Sequence, residues 1–125
     1  MIKRLQVTVI WLLLFAIIPL SLCSARATVF ISGLEDLPLI NGLEERLESS
    51  VIFDSPQGRV VEVIASGVMQ QEIVSDFYQN TLPQLGWTKL NEDRYQREGE
   101  TLSLEFIRNG SSLEVRFFVE PTAAE

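Results

Sequence analysis

Carboxylates are the side chains in this sequence that most readily suggest chemistry. The chain has 17 Asp and Glu residues against 10 Lys and Arg, and it has no His. Acidic groups occur at Glu35-Asp36, Glu44-Glu45-Glu48, Glu92-Asp93 and Glu98-Gly99-Glu100. Such groups can bind Ca²⁺ or act as a general acid and base. None has the spacing of a calcium loop, and each is also typical of a solvated turn or helix surface, which is the interpretation we favour.

Other catalytic constellations are missing from the sequence. Without His, no Ser-His or Cys-His nucleophile can form. The one Cys is Cys23, and no Gly-rich loop has phosphate-binding spacing. We therefore assign no catalytic, cofactor-binding or metal-ligating residue and expect no cofactor.

The N-terminal residues have the pattern of a secretory signal. Lys3 and Arg4 precede an apolar run from Val7 to Leu22, and Ala25-Arg26-Ala27 follows with small residues at the two positions that a signal peptidase reads. Residues 1–27 are predicted to be a signal peptide that is cleaved after Ala27. The protein is then exported, with the periplasm as its expected location.

Two alternatives to cleavage remain open. The first is a membrane anchor through residues 7–22, although this run is shorter than the roughly 20 residues that a spanning helix needs. The second is lipidation of Cys23, which the bulky Leu22 directly before it disfavours.

The charge of the mature chain restricts its partners. Removal of Lys3, Arg4 and Arg26 leaves seven basic residues against 17 acidic ones, a net charge of −10. Phosphate backbones and anionic lipid surfaces are bound by clusters of Lys and Arg. We therefore expect no nucleic-acid partner, and membrane association only through an uncleaved signal.

The mature chain is predicted to be one α+β domain. Residues 28–49 lack a regular period and are predicted to form an irregular N-terminal arm. Residues 50–125 are predicted to form an antiparallel sheet with one main helix packed on one face, in the order β-β-α-β-β-β-β. The helix is expected to cover the sheet and to complete the hydrophobic core.

The helix is predicted over residues 69–85. Its apolar positions repeat at helical spacing and predict the buried face: Ile73, Val74, Phe77, Thr81, Leu82 and Leu85. Pro83 predicts a kink, or an end near Thr81 followed by a separate turn. Gly86 is suited to the position after the helix, where a left-handed conformation is common.

The last two strands are predicted to form a hairpin around Asn109-Gly110, a pair that favours a type I′ turn. A two-residue turn there places Phe106 opposite Leu113, so that apolar residues meet along one face. On the other face this register places Glu105 opposite Glu114. We interpret that pair as solvent-facing, with Arg116 within reach, rather than as a catalytic dyad.

Four apolar residues are predicted to lie on the sheet face away from the helix. Alternation along the strands places Val60, Ile64, Ile107 and Phe118 there. A contiguous exposed apolar patch indicates a binding surface. These residues form a candidate partner-binding patch, unless the N-terminal arm covers them.

The helix and the strand after it contain a motif that resembles a family. The stretch Asp76-Phe77-Tyr78-Gln79-Asn80-Thr81-Leu82-Pro83-Gln84-Leu85-Gly86-Trp87 resembles the Phe-Tyr-x3-Leu-Pro-x2-Gly-Trp pattern of small exported bacterial proteins of unknown function. Turns like Asp54-Ser55-Pro56-Gln57-Gly58-Arg59 and Arg97-Glu98-Gly99-Glu100 also occur in them, so the resemblance covers roughly residues 50–120. It implies export, an α+β domain and structural roles for Phe77, Gly86 and Trp87, and it implies no catalytic residue.

These observations favour a non-catalytic envelope protein that binds another protein through the patch or an exposed strand edge. One alternative is a small-ligand or lipid-binding domain with a pocket between helix and sheet. A less favoured alternative is a hydrolase that uses carboxylates, which requires two acids to converge in a cleft.

Overall fold

The computed structural model describes Ser24 and residues 26–123. Most of the predicted signal peptide, including Cys23 and residues 7–22, therefore lies outside the described residues. Within the described ranges, no helix combines the length and the apolar character needed to cross a membrane.

The described residues form strands and one α-helix, α1, which spans Gln71–Thr81. The strands are β1 (Phe30–Ile31), β2 (Leu34–Pro38), β3 (Glu44–Glu45), β4 (Val51–Ser55), β5 (Gly58–Gly67), β6 (Thr88–Asn91), β7 (Arg94–Arg97), β8 (Glu100–Asn109) and β9 (Ser112–Pro121). Short 3-10 turns occupy Leu47–Ser49 and Leu82–Leu85.

The main sheet is antiparallel and has the order β3-β5-β9-β8-β7-β6, with β4 beside β3 on the same edge of β5. Helix α1 packs on one side, which we call the inner face, where the rings of Tyr78 and Phe117 lie 5.3 Å apart. The opposite side is the outer face. The protein is thus an α+β domain with one main helix on an antiparallel sheet, as predicted.

Alternation along the long strands produces this division into two faces. On β9 the residues Leu113, Val115, Phe117 and Val119 are buried, whereas the residues between them are partly exposed. Successive side chains of a strand point to opposite faces, so one row enters the core and the other lies at the surface. Each fully buried Leu, Val or Phe side chain stabilises the fold by about 1.5–3 kcal/mol.

Helix α1 ends at Thr81, as the position of Pro83 in the sequence predicted. The α-helix stops at Thr81, Pro83 lies in the 3-10 turn that follows, and Gly86 has a φ of 88°. A side chain at Gly86 would be strained in this left-handed conformation, which is why glycine is favoured there.

The buried face of the helix differs from the predicted one. Val74, Tyr78 and Leu82 are fully buried at intervals of four residues, whereas Ile73 is half exposed. Tyr78 was absent from the predicted face because its hydroxyl group is polar. That hydroxyl finds partners in the N-terminal arm, which removes the cost of burying it.

The N-terminal arm is more regular than predicted. Residues 28–49 contain β1, β2 and β3, so the predicted order β-β-α-β-β-β-β is wrong because three short strands precede it. The arm also supplies core residues: Ile31, Leu34, Leu37, Leu39, Ile40 and Leu43 are buried. Gly, Pro and Asn residues interrupt the sequence of the arm. The alternation of apolar and polar residues that is typical of a strand therefore cannot be recognised there.

Polar contacts bind the arm to the inner face. The hydroxyl of Tyr78 donates to the carbonyl of Pro38 (3.0 Å) and accepts from the amide of Ile40 (3.3 Å). The Arg59 guanidinium donates to the carbonyl of Gly33 (3.0 Å) and to Glu100. The core residues of the arm therefore share the layer of α1, whereas Arg46 of the arm reaches Glu114 on the outer face.

A third polar contact connects the arm to the end of the helix. Arg97 donates to Asp36 in the arm and to the carbonyl of Leu85 (2.8 Å), and its guanidinium lies 4.4 Å from the centre of the Trp87 ring. The hydrogen bond from Arg97 lowers the pKa of Asp36 below its ordinary value. This carboxylate thus contributes stability that is present near neutral pH and lost as the pH falls below about 4.

The register of the β8–β9 hairpin was predicted wrongly by two residues. The turn is Gly110-Ser111, because Asn109 pairs with Ser112 and Phe106 pairs with Val115. Gly110 has a φ of 61°, which suits the Gly-first pattern of a type II′ turn. A shift of two residues keeps every side chain on the same face of the sheet. The matching of apolar residues therefore cannot distinguish the predicted register from the observed one.

A type I′ pattern occurs instead at the turn between β7 and β8. Glu98 has a φ of 48° and Gly99 a φ of 78°. Positive φ at both central residues is the pattern of a type I′ turn, for which Asn-Gly is the preferred pair. Glu98 is the one non-glycine residue with positive φ among residues 26–123.

We predict that Glu98→Asn raises the free energy of unfolding by about 0.5–1 kcal/mol, since Asn adopts positive φ at lower cost than Glu. Urea unfolding at neutral pH measures the change. Glu98→Gln, which removes the charge but retains the unfavourable conformation, serves as the control. Equal stabilisation by both variants would contradict the conformational explanation.

Two buried tyrosines provide a matched test of the contact between arm and helix. Tyr78 has two hydrogen-bond partners, whereas the buried hydroxyl of Tyr95 has none among the described residues. Tyr78→Phe should lower the free energy of unfolding by about 1–3 kcal/mol because it leaves buried backbone groups unpaired. Tyr95→Phe should lower it by less than about 0.5 kcal/mol. Similar losses in urea unfolding would disprove the assigned role of Tyr78.

The buried hydroxyl of Tyr78 also predicts that the stability of the fold depends on pH in the alkaline range. Burial raises the pKa of the Tyr78 hydroxyl well above its ordinary value. The folded state then keeps this proton while the unfolded chain loses it above about pH 10, so stability is complete below that pH and falls as the pH rises further. The decline should be shallower in Tyr78→Phe than in the unaltered protein.

Candidate functional site

The outer face carries the candidate site. Strand pairing places Glu62 of β5 opposite Val51 of β4 on one side and Phe118 of β9 on the other. Val60 and Ile64 lie two residues before and after Glu62 on the same face. Three of the four predicted patch residues, Val60, Ile64 and Phe118, thus surround one carboxylate.

The fourth predicted residue lies apart from the others. Ile107 pairs with Glu114, and it is 39% exposed. Arg116 and Glu105 pair with each other in the row between Ile107 and Phe118. The structure therefore does not join Ile107 to the other three residues in one apolar surface.

Two residues that the sequence analysis did not assign extend the surface toward the sheet edge. Val51 pairs with Glu62 and Phe53 pairs with Val60, so both side chains lie on the outer face. They are 48% and 51% exposed. The turn at Pro56-Gln57 sets this register and could be recognised in the sequence. Counting residues back from this turn identifies Val51 and Phe53 as residues of the outer face. We call Val51, Phe53, Val60, Ile64 and Phe118 the outer cluster.

Charged side chains that pair with one another lie among the residues of the outer cluster. Arg116 donates to Glu62 (2.8 Å) and to Glu105 (3.2 Å), and its guanidinium lies 5.8 Å from the centre of the Phe118 ring. The hydrogen bond to Glu62 is the main cause that raises the pKa of Arg116 above its ordinary value. Glu62 is thereby paired within the fold, which lowers the cost of covering it relative to an unpaired carboxylate, and the group of one guanidinium and two carboxylates keeps one net negative charge.

The predicted pairing of Glu105 with Glu114 is wrong. Glu105 pairs with Arg116, and Glu114 pairs with Ile107 and forms an ion pair with Arg46 (3.0 Å). The observed register replaces a like-charge pair with an opposite-charge pair, which is worth roughly 0.2–1 kcal/mol on a sheet. The electrostatic difference favours this register over the predicted one.

The other acidic groups lie in separate parts of the fold. Glu92-Asp93 and Glu98-Gly99 form turns, and Asp36 is paired with Arg97. Within residues 26–123, no three Asp or Glu residues come together as they would around a metal ion.

The space between helix and sheet is filled by side chains. Tyr78, Leu82 and Phe117 are fully buried there, and the ring of Tyr78 meets those of Phe77 and Phe117 edge to face. Interiors of this kind pack at the density of organic crystals and leave little room for a ligand. The outer face, rather than the interior, is thus the surface that a partner can reach.

Comparisons with known proteins add no relative. No protein-family model matches the chain, and neither a curated protein nor a solved structure matches it. The candidate site is therefore argued from its geometry.

Adjacent residues on β9 test the assignment of the two faces. Phe118 is partly exposed on the outer face, whereas Val119 is fully buried on the inner face. Phe118→Ser should lower the free energy of unfolding by less than about 1.5 kcal/mol, and Val119→Ser by at least about 2 kcal/mol. Thermal and urea unfolding measure both changes. A larger loss for Phe118→Ser than for Val119→Ser would remove Phe118 from the candidate site.

Proposed function

We propose that this protein is an exported, non-catalytic interaction module of the cell envelope that binds another protein through its outer face. The observation that carries the proposal is the outer cluster, which remains partly exposed after the arm and the helix have packed on the inner face. Aromatic residues and Arg are enriched in protein interfaces, and this surface carries Phe53, Phe118 and Arg116. The signal-like sequence of residues 1–27 supports the location.

The composition supports a protein partner rather than a polyanion. The mature chain is strongly acidic, and Arg46, Arg59, Arg97 and Arg116 each form an ion pair within the fold. Guanidinium groups in such pairs are poorly placed to contact phosphates. The filled interior makes the alternative of a ligand pocket between helix and sheet less favourable than a surface interaction.

Cross-linking in cells tests the proposal. The tagged full-length chain is cross-linked in its native envelope, and the proteins that co-purify are identified by mass spectrometry. We expect one dominant protein, and a loss of roughly ten-fold or more in its yield with Phe118→Ser, because truncating an interface anchor costs 2 kcal/mol or more.

Ile73→Ser is the matched control, since Ile73 is an exposed apolar residue on the helix side of the domain. This variant should retain the partner. A partner lost equally with both variants, or no reproducible partner, would contradict binding through the outer face.

A further inference from the structure

Strand β4 is an open edge of the sheet. It pairs with β5, and no other described strand lies against its second side. The 3-10 turn Leu47–Ser49 separates it from β3, so the open edge extends from residue 50 to residue 55. An unpaired edge is a template for a strand from another chain.

The register shows which backbone groups this edge presents. The two-residue turn Pro56-Gln57 makes Ser55 and Gly58 a hydrogen-bonded pair, and such pairs alternate along an antiparallel ladder. Phe53 and Val51 therefore bond to β5. The N–H and C=O groups of Ile52 and Asp54 point away from β5 and are free to pair with an added strand.

The side chains of β4 are unusually apolar for an edge. Val51, Ile52 and Phe53 are 48%, 56% and 51% exposed, and Leu47 in the preceding turn is 70% exposed. Natural edges are commonly protected by Lys, Pro or an inward-pointing charge. Strand β4 has no Lys or Pro, and its one charged residue is Asp54, which lies on the inner face opposite Arg59 near the end of the strand. Val51 and Phe53 belong to the outer cluster, so an added strand would extend that surface.

Uncompensated acids flank the apolar edge. Glu44, Glu48 and Asp54 are exposed, and none forms an ion pair with another described residue. The nearest arginines are already engaged, Arg46 with Glu114 and Arg59 with Glu100. The edge thus presents apolar side chains between unpaired negative charges.

We infer that the β4 edge binds an extended segment of a partner protein in which alternating apolar residues are flanked by Lys or Arg. The inference rests on the proposed function and adds the chemistry of the partner. Strand addition uses the free backbone groups of Ile52 and Asp54, and the flanking cations complement Glu48 and Asp54. The outer cluster then packs against the apolar side chains of the added strand.

A second copy of this chain is disfavoured as the occupant. Antiparallel pairing of two β4 strands about Ile52 places Asp54 opposite Ser50 of the other copy, next to the Glu48 of that copy. Like charges placed together across an interface oppose association. The net charge of −10 expected for the mature chain adds repulsion between whole copies.

Site-specific photo-cross-linking in cells tests this inference. A photoreactive amino acid replaces Ser50, or a photoreactive phenylalanine analogue that retains the ring replaces Phe118, in the tagged full-length chain, and the cross-linked peptides are sequenced. We expect both positions to capture one protein, and position 50 to capture a short segment with apolar residues between basic ones. Capture from position 118 without capture from position 50 would overturn the edge inference alone. No capture from either position would contradict the proposed function as well.

Charge variants test the recognition of the flanking cations. Asp54→Lys should lower capture from position 50 by about five-fold or more, since it replaces an attraction by a repulsion. Glu35→Lys, which changes an exposed acid in β2 of the arm, should have no effect. Equal losses with both variants would show that net charge, rather than the acids beside β4, determines binding.

A proline variant tests the use of the backbone. Ile52→Pro removes the outward N–H while leaving the bonds between β4 and β5 in place, and we expect capture to fall by about ten-fold. Leu90→Pro, on the opposite edge strand β6, is the control. Circular dichroism confirms that each variant is folded. A cross-link from position 50 to a second copy of the chain, or unchanged capture with Ile52→Pro, would overturn the inference.

Discussion

The need to cover one face of a wide sheet determines most of this structure. Helix α1 has 11 residues and is therefore about 16 Å long, whereas the ten-residue strands β5 and β9 extend for about 33 Å. The helix alone leaves part of the inner face exposed to water. The N-terminal arm covers the remainder, and Tyr78, Arg59 and Arg97 satisfy the backbone and carboxylate groups that the arm brings with it.

The packing of the helix and the arm explains why the outer face is partly apolar and partly charged. The helix and the core residues of the arm pack on the inner face, so most side chains on the other side of the sheet remain at the surface. Arg116 forms ion pairs with two carboxylates there, and apolar side chains remain around these pairs. The outer face consequently combines partly exposed apolar side chains with ion pairs, whereas the inner face is a hydrophobic core.

Features that depend on neighbouring residues were predicted better than the pairing of residues that lie apart in the sequence. The end of α1 at Thr81 and the left-handed Gly86 follow from Pro83 and from the glycine itself, and both were predicted. Alternation placed Val60, Ile64 and Phe118 on one face because a strand has a period of two. The same period could not distinguish registers that differ by two residues. The hairpin was therefore misassigned, and the pairing of Glu105 with Arg116 was missed.

The arm was harder to predict because its partners are distant in the sequence. Asp36 and Arg97 are 61 residues apart, and Pro38 and Tyr78 are 40 apart. Contacts of such high sequence separation form slowly and require loops to close first. Because β9 lies between β5 and β8, the sheet cannot be assembled until the last strand has been synthesised. The core around Phe117 therefore closes only after almost the whole chain has been made, and this late assembly is compatible with the export proposed above.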